Sequence, residues 1–369
     1  MKNEVRHVLG ISGGKDSAAL AIYLKDKYPA LAIDFYTCDT KCELAETEQL
    51  VERLRSYLGH ITTLCAAKGS PEPTPFDHFL KMNGGFLPSV QARWCTQKMK
   101  LAEFEKYVGT APTISYVGIR GDEDREGYIS SKANIQSIFP FRRNIWSVDV
   151  INTVLKNDNL ERFSECYQSV AVPSTFTEAE KFLSTPLSKK FYYTQKLNAL
   201  LDIDVKTFNH ATFTFLKQYS DCPVSKLDEF PLLDNEDIIV KSDVFKILED
   251  SGVGVPAYYK LIDFAVDGQI GQYCRSRSGC YFCFFQQKIE WVWLYEQHPA
   301  LFEKAMGYEK DGYTWIQGER LEELIRPERI RQIKLDHIKK TKMTQQKADG
   351  NLLINLFDDD EINCANCFI

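Results

Sequence analysis

Three cysteines, Cys274, Cys280 and Cys283, follow a C-x5-C-x2-C spacing. A thiolate is both a nucleophile and a ligand for soft metals. Three thiolates this close in sequence need a fourth donor from elsewhere to complete a four-cysteine site. Cys95 is the expected fourth, because Arg93, Lys98 and Lys100 crowd around it where a helix should start. Arg275 and Arg277 are expected to stabilise thiolates, and Gly279 to allow a tight turn. Zinc or an iron–sulfur cluster suits this ligand count. A second set of chemistry-bearing residues lies near the start of the chain, at Ser12, Gly13, Gly14, Lys15, Asp16 and Ser17. Two glycines let backbone N–H groups approach an anion, Lys15 adds a cation, and the serines add hydroxyls.

The elements that must position these residues follow from periodicity. Val8–Ile11 reads as a buried strand running into the glycine turn, and an amphipathic helix follows. Leu31–Thr37, Ile61–Ala66 and Thr113–Val117 read as further strands, with a helix beginning at Glu46-Thr47 and carrying Leu50, Val51, Leu54 and Leu58. Alternating strands and helices predict an α/β fold with a doubly wound, mostly parallel sheet. Ligands bind beyond the carboxyl ends of such strands, which places Asp39, Thr40 and the Gly118–Arg125 segment near the Ser12–Ser17 turn. Arg120 and Arg125 suit bidentate anion binding, and Asp122 and Glu123 suit either Mg²⁺ or orientation of an arginine. Cys38 and Cys42 read as buried thiols.

The string Ser12-Gly13-Gly14-Lys15-Asp16-Ser17 after a first strand resembles the PP-loop of the ATP pyrophosphatase superfamily. That resemblance implies cleavage of ATP to AMP and pyrophosphate with Mg²⁺, and activation of an acceptor oxygen as an adenylate. It implies nucleotide-binding roles for Ser12–Ser17, Asp39, Thr40, Gly118 and Glu123, and catalytic roles for Lys15, Asp16 and Arg120. Gly118-Ile119-Arg120 with Glu123 resembles the family's Gly-Ile-Arg-x-x-Glu signature. Gly279-Cys280-Tyr281-Phe282-Cys283, Gln287–Trp291 and His298–Glu303 resemble the phosphoadenosine-phosphosulfate reductase family. Within it, Arg93-Trp94-Cys95-Thr96 is similar to the branch of DNA phosphorothioation enzymes of DndC and SspD type. The resemblance spans about Val8 to Phe302, interrupted by an insertion, and favours a [4Fe–4S] cluster on Cys95, Cys274, Cys280 and Cys283. It further implies a cysteine desulfurase as sulfur donor, other subunits of a modification complex, and DNA reached through a partner. A reductase of adenylyl sulfate or phosphoadenylyl sulfate, or a sulfurtransferase acting on tRNA or a metabolite, is the alternative. The intact Gly13-Gly14-Lys15-Asp16 argues against the reductase, whose substrates carry no pyrophosphate to release. A third possibility is a scaffold in a defence or repair complex.

The 369-residue chain carries a net charge of −6, which excludes a generally basic nucleic-acid surface but not a local patch. No stretch has the length of a membrane span, and the charged start is not a signal peptide, so a cytoplasmic protein is expected. In a reducing compartment its 11 cysteines are expected to serve metal or thiol chemistry rather than disulfides. Four regions are expected: a nucleotide-binding domain over 1–156, a mostly helical insertion over 157–235, a cysteine-bearing region over 236–320, and a basic segment with a terminal CxxC over 321–369. The basic run Arg326–Lys347 is the plausible phosphate-backbone patch, and Cys364 and Cys367 are candidates for thiol exchange.

Overall fold

The computed structural model describes residues 4–127 and 129–348. It has a five-stranded parallel sheet formed by β1 (Arg6–Gly10), β2 (Ile33–Cys38), β3 (Thr62–Leu64), β4 (Thr113–Tyr116) and β5 (Ile135–Ile138), in the order β3-β2-β1-β4-β5. His7–Gly10 run beside Ile33–Tyr36 on one side, and Arg6–Leu9 beside Thr113–Tyr116 on the other. The order reverses at β1, so the switch point of the sheet lies between β1 and β4.

Successive strand residues point to opposite faces, and the burial follows that alternation. Leu9 and Phe35 join one core with the helices Lys15–Lys27 and Ala45–Leu58. Val8 and Tyr36 join another with Phe104 and Val108 of the helix Ala102–Val108. The α/β class and the covering of both faces therefore match the sequence reading. Within Ala45–Leu58, Leu50 and Leu54 stand one turn apart and are both fully buried.

The insertion is helical, with Leu160–Val170, Pro173–Ser184, Tyr193–Ile203 and Val205–Tyr219 as its main helices. Asp204 caps the last of these by accepting from the Thr207 N–H at 3.2 Å. Phe163, Tyr167, Phe208 and Phe215 extend the core on the Leu9 face, so the insertion packs onto the parallel-sheet fold.

A separate, aromatic-rich core holds the cysteine-bearing region together. Phe76, Trp94, Tyr258, Phe282, Trp291, Trp293 and Trp315 are buried in it. It includes the antiparallel hairpin of β6 (Ile262–Val266) and β7 (Gln269–Tyr273), and the helix Lys288–Gln297. Neither the hairpin nor the helix Pro75–Met82 was expected. The latter falls within Gly69–Pro88, a stretch whose Pro and Gly content reads as a loop. Pro75 occupies its first turn, where no N–H bond is lost, and Thr74 caps it by accepting from Asp77 N–H at 3.1 Å.

The basic segment docks as the helix Pro327–Ala348. Ile333 and Ile338 are buried in the aromatic-rich core. Its cations are engaged by the body of the protein: Arg329 by Glu319, Arg331 by Asp267, and Lys334 by Glu296 at 2.6 Å. These three are therefore not available as a free phosphate-binding stripe. Cys364 and Cys367 lie outside the described residues. Among the described residues no helix is long and apolar enough to cross a membrane.

Candidate functional site

Ser12–Ser17 turns from β1 into the helix Lys15–Lys27, at the switch point. Gly13 adopts φ +75°, and a Cβ there would stand 2.3 Å from Thr47 Cγ2, so both conformation and space demand glycine. Ser12 Oγ and Ser17 Oγ lie 3.0 Å apart, and Ser17 Oγ also accepts from Ser12 N–H at 3.1 Å, which closes the turn on itself. Two tyrosines that sequence reasoning missed hold the loop from outside. Tyr258 donates its hydroxyl to Gly13 C=O at 3.0 Å. Tyr259 accepts from Lys15 N–H at 3.4 Å and lies beneath the Lys15 ammonium, 5.0 Å from ring centre to Nζ. Nothing in their spacing could have revealed this, because they lie more than two hundred residues away in sequence.

Below the loop is a buried ion network. Lys15 Nζ is 3.2 Å from Asp16 Oδ2, and Arg120 Nη1 is 3.0 Å from Asp16 Oδ1. Arg120 also reaches Asp122 at 2.9 Å and Glu123 at 2.9 Å, and Arg125 backs Glu123 at 2.8 Å. Burial alone would raise the Asp16 carboxyl, but the charges of Lys15 and Arg120 outweigh it and hold its pKa below the ordinary value. Arg120 is 1% exposed and clasped by three carboxylates. Of the two roles open to the Arg120–Glu123 segment, the geometry takes the one in which carboxylates orient the arginine. Gly118 makes this possible: a Cβ there would meet Asp16 C=O at 3.0 Å, so β4 could not come this close to the loop.

Two cavities open beside the loop. The first, of about 300 Å³, lies between β2 and the helix Ala45–Leu58 and is lined by Ser12, Gly13, Asp39, Glu43, Thr47 and Arg55. Its volume suits a small-molecule site. Asp39 anchors its own turn, with Oδ1 accepting from Lys41 N–H at 2.8 Å, and pairs with Lys41 Nζ at 3.0 Å. Thr40 is buried and donates to Glu43 at 2.5 Å, and its Oγ1 is 3.3 Å from Cys280 Sγ. The carboxyl of Glu43, which the sequence reading passed over, is raised by burial.

The second cavity, of about 70 Å³, lies on the other side of the loop. It brings Gly14, Lys15 and Asp16 onto one wall and Cys95, Cys280 and Cys283 onto another, with Lys100, Arg125 and Arg277 also lining it. Three of the four predicted cysteines therefore meet beside the loop. The fourth does not. Cys274 follows the end of β7, and its thiol interacts with Glu290, Lys241 and Lys15 rather than with the other sulfurs. Among the described residues, no three His, Cys, Asp or Glu side chains stand close enough together to hold a metal ion. The set Cys95, Cys274, Cys280 and Cys283 is thus not assembled as a closed ligand shell.

The expected thiolate stabilisation is also overturned. Burial pushes Cys95 up to about 11 and Cys280 up to about 12, and Cys274 up to about 11. Lys100 opposes the shift at Cys95 and Cys280, but desolvation is larger. The Arg275 guanidinium lies 6.0 Å from the Trp293 ring centre, and its Nη2 donates to Cys280 C=O at 3.3 Å. The Lys100 ammonium, which burial penalises, is nonetheless raised above its usual value by Cys280, Glu43, Cys38 and Cys95 around it. No family model, curated protein or solved structure matches the chain.

Proposed function

We propose that this protein is an ATP pyrophosphatase that adenylates an acceptor oxygen and supports sulfur transfer to it, with a backbone phosphate of DNA as the acceptor class. One observation carries the reading: the Gly14–Asp16 loop and the thiols of Cys95, Cys280 and Cys283 line the same cavity. A turn suited to phosphate beside a group of thiols is the arrangement that sulfur transfer to an adenylated acceptor requires.

In this reading the N–H group of Gly14 and the Lys15 ammonium bind the phosphates of ATP and carry the charge that develops as pyrophosphate leaves. The acceptor oxygen forms a bond to the α-phosphorus while the bond to the bridging oxygen of the pyrophosphate breaks. The outer sulfur of a cysteine persulfide then attacks the adenylated centre and AMP leaves, and a thiol reductant attacks the inner sulfur, breaking the S–S bond so that the thio product departs and a disulfide forms. Asp16 keeps Lys15 in place, and Arg120 keeps Asp16 in place. Asp39 and Glu43, lining the larger cavity, are the carboxylates suited to Mg²⁺. The sulfur is supplied by a cysteine desulfurase acting as partner. A [4Fe–4S] cluster belongs to the proposal only through the donor chemistry of Cys95, Cys280 and Cys283, which line one cavity but, among the described residues, are not drawn together as a ligand set, and Cys274 does not complete it. No step is derived through it. Iron and sulfide analysis of anaerobically purified protein tests that assignment.

The function is tested by anaerobic incubation with labelled ATP and Mg²⁺. AMP and pyrophosphate are expected from the wild type and absent in Lys15→Ala. Intact ATP, together with sulfite released from adenylyl sulfate and a thiol reductant, overturns the reading in favour of a reductase.

A further inference from the structure

Arg275 is 0% exposed, yet among the described residues no carboxylate meets its guanidinium. Its backbone N–H donates to Tyr258 C=O at 2.9 Å, and its Nη2 donates to Cys280 C=O at 3.3 Å. Its Nε and Nη1 are buried and make no hydrogen bond. The other neighbour of the guanidinium is the Trp293 ring. The buried carboxylate of Glu290, on the helix that follows, is taken by others. It accepts from Ser276 N–H at 2.7 Å, from the Ser276 hydroxyl at 2.9 Å and from Gln287 N–H at 2.8 Å.

Other buried cations of this chain are provided for. Lys15 and Arg120 lie against Asp16, and Lys334 lies against Glu296. Lys196, in the insertion, is held by Leu183 C=O at 3.0 Å and Thr185 C=O at 2.9 Å, and burial lowers its pKa to about 8, so it can shed its proton. A guanidinium has no such escape, because it keeps its proton in proteins. A buried charge without a counter-charge is strongly unfavourable. The fold therefore carries a permanent positive charge that an anion nearby would offset.

The position of Arg275 says where that anion binds. Tyr258, which Arg275 holds by its backbone, donates its hydroxyl to Gly13 C=O at 3.0 Å, and the Arg275 charge acts on that same hydroxyl. Ser276, the next residue, and Cys280, whose C=O takes Nη2, line the cavity together with Gly14, Lys15 and Asp16. A Cβ on Gly14 would stand 2.5 Å from Ser278 Oγ, so this segment presses directly on the loop. The guanidinium stands behind that wall, out of water, where solvent screens its field least.

We infer that Arg275 is an electrostatic support for a polyanion bound at the Ser12–Ser17 loop. It makes the loop favour a di- or triphosphate over a monophosphate without touching either. It is a positioning residue that acts through its field across the cavity wall. The inference rests on the proposed function for the loop as a phosphate site and adds what selects the charge of the ligand.

The test is calorimetric titration of the full chain with phosphate, pyrophosphate, AMP and ATP at low ionic strength, without Mg²⁺ so that each ligand keeps its full charge. Wild type is compared with Arg275→Gln, which can still donate to Cys280 C=O, and with Arg275→Met, which cannot. Both variants are expected to lose at least about ten-fold in affinity for ATP and pyrophosphate, and less for AMP and phosphate. The urea unfolding midpoint of Arg275→Met is expected to be no lower than that of the wild type, because an unpaired buried charge has been removed. An equal loss for all four ligands, or unchanged pyrophosphate affinity, overturns the inference. So does failure of both variants to fold, since the guanidinium then serves the core. ATP cleavage with Mg²⁺ is measured on the same preparations. Wild type that leaves ATP intact but shows the charge-graded loss refutes the proposed function and leaves Arg275 its role. Wild type that cleaves ATP, with affinities unchanged in the variants, refutes the role of Arg275 alone. Wild type that binds none of the four anions overturns both.

Discussion

Replacing Arg120 by glutamine tests whether this arginine serves the fold of the loop or grips a substrate. Its guanidinium binds Asp16 at 3.0 Å, Asp122 at 2.9 Å and Glu123 at 2.9 Å. The side chains of Asp16 and Glu123 are 4% and 7% exposed, so water cannot replace the lost charge. Removing one partner of a buried ion pair costs about 3–5 kcal/mol. Two features keep the expected cost at the low end. Asp16 retains Lys15 at 3.2 Å, and Glu123 retains Arg125 at 2.8 Å. Protonation of one carboxyl also caps the penalty, since neutralising an ordinary carboxylate at pH 7 costs roughly 4 kcal/mol. The expected loss is therefore about 3 kcal/mol at pH 7, read from the shift in the urea unfolding midpoint. The same cap makes the loss shrink by up to about 1.4 kcal/mol for each unit of pH lowered towards 5. Unfolding at pH 7 and pH 5, for wild type and variant, measures both. A variant with the wild-type midpoint at pH 7 and no ATP cleavage would refute the argument, because it would make Arg120 a ligand for substrate and not a support for Asp16.

Two other outcomes follow from the geometry. Gly13→Ala forces a side chain into φ +75° and against Thr47 Cγ2. A loss of about 1–3 kcal/mol in stability is expected together with loss of ATP binding, and retained binding in equilibrium dialysis would contradict the assigned loop geometry. His7 is stacked on Tyr116, with Nδ1 2.8 Å from the Tyr116 hydroxyl, and burial lowers its pKa from 6.5 to about 4. Between those values the unfolded chain binds more protons than the folded one, so this contribution is fully present above pH 6.5 and is lost as pH falls towards 4. Allowing for the partial exposure of the ring, the loss is about 2 kcal/mol. In His7→Gln the acid-induced decline over that window should be shallower by this amount, and an unchanged slope in pH-dependent urea unfolding would show that His7 is not its source.

Much of the parallel-sheet fold could be read locally. Val8–Gly10 and Phe35–Thr37 are apolar runs next to turns, and the spacing of Leu50 and Leu54 is helical, so period and punctuation identified these elements. The loop Ser12–Ser17 was visible for the same reason: two glycines, a lysine and two serines need one another within a single turn. β5, the hairpin β6–β7 and the helix Pro75–Met82 were not visible. β5 is four residues of mixed polarity, Ile135–Ile138, held by its neighbour β4. Pro75–Met82 depends on a cap that composition disguised as loop.

The sequence by itself determined which residues are able to do chemistry, because residue type and close spacing are local properties. Only the tertiary structure decided which of them meet. It set Cys95, Cys280 and Cys283 along one cavity and left Cys274 off its lining, because Cys274 is carried by the end of β7. It buried Arg120 against Asp16, because the chain following β4 brings the two together. It also raised the Cys95, Cys274 and Cys280 thiols, where nearby cations had suggested lowering. Nearby cations can be counted in a sequence, but desolvation, the larger effect here, exists only once the chain has packed.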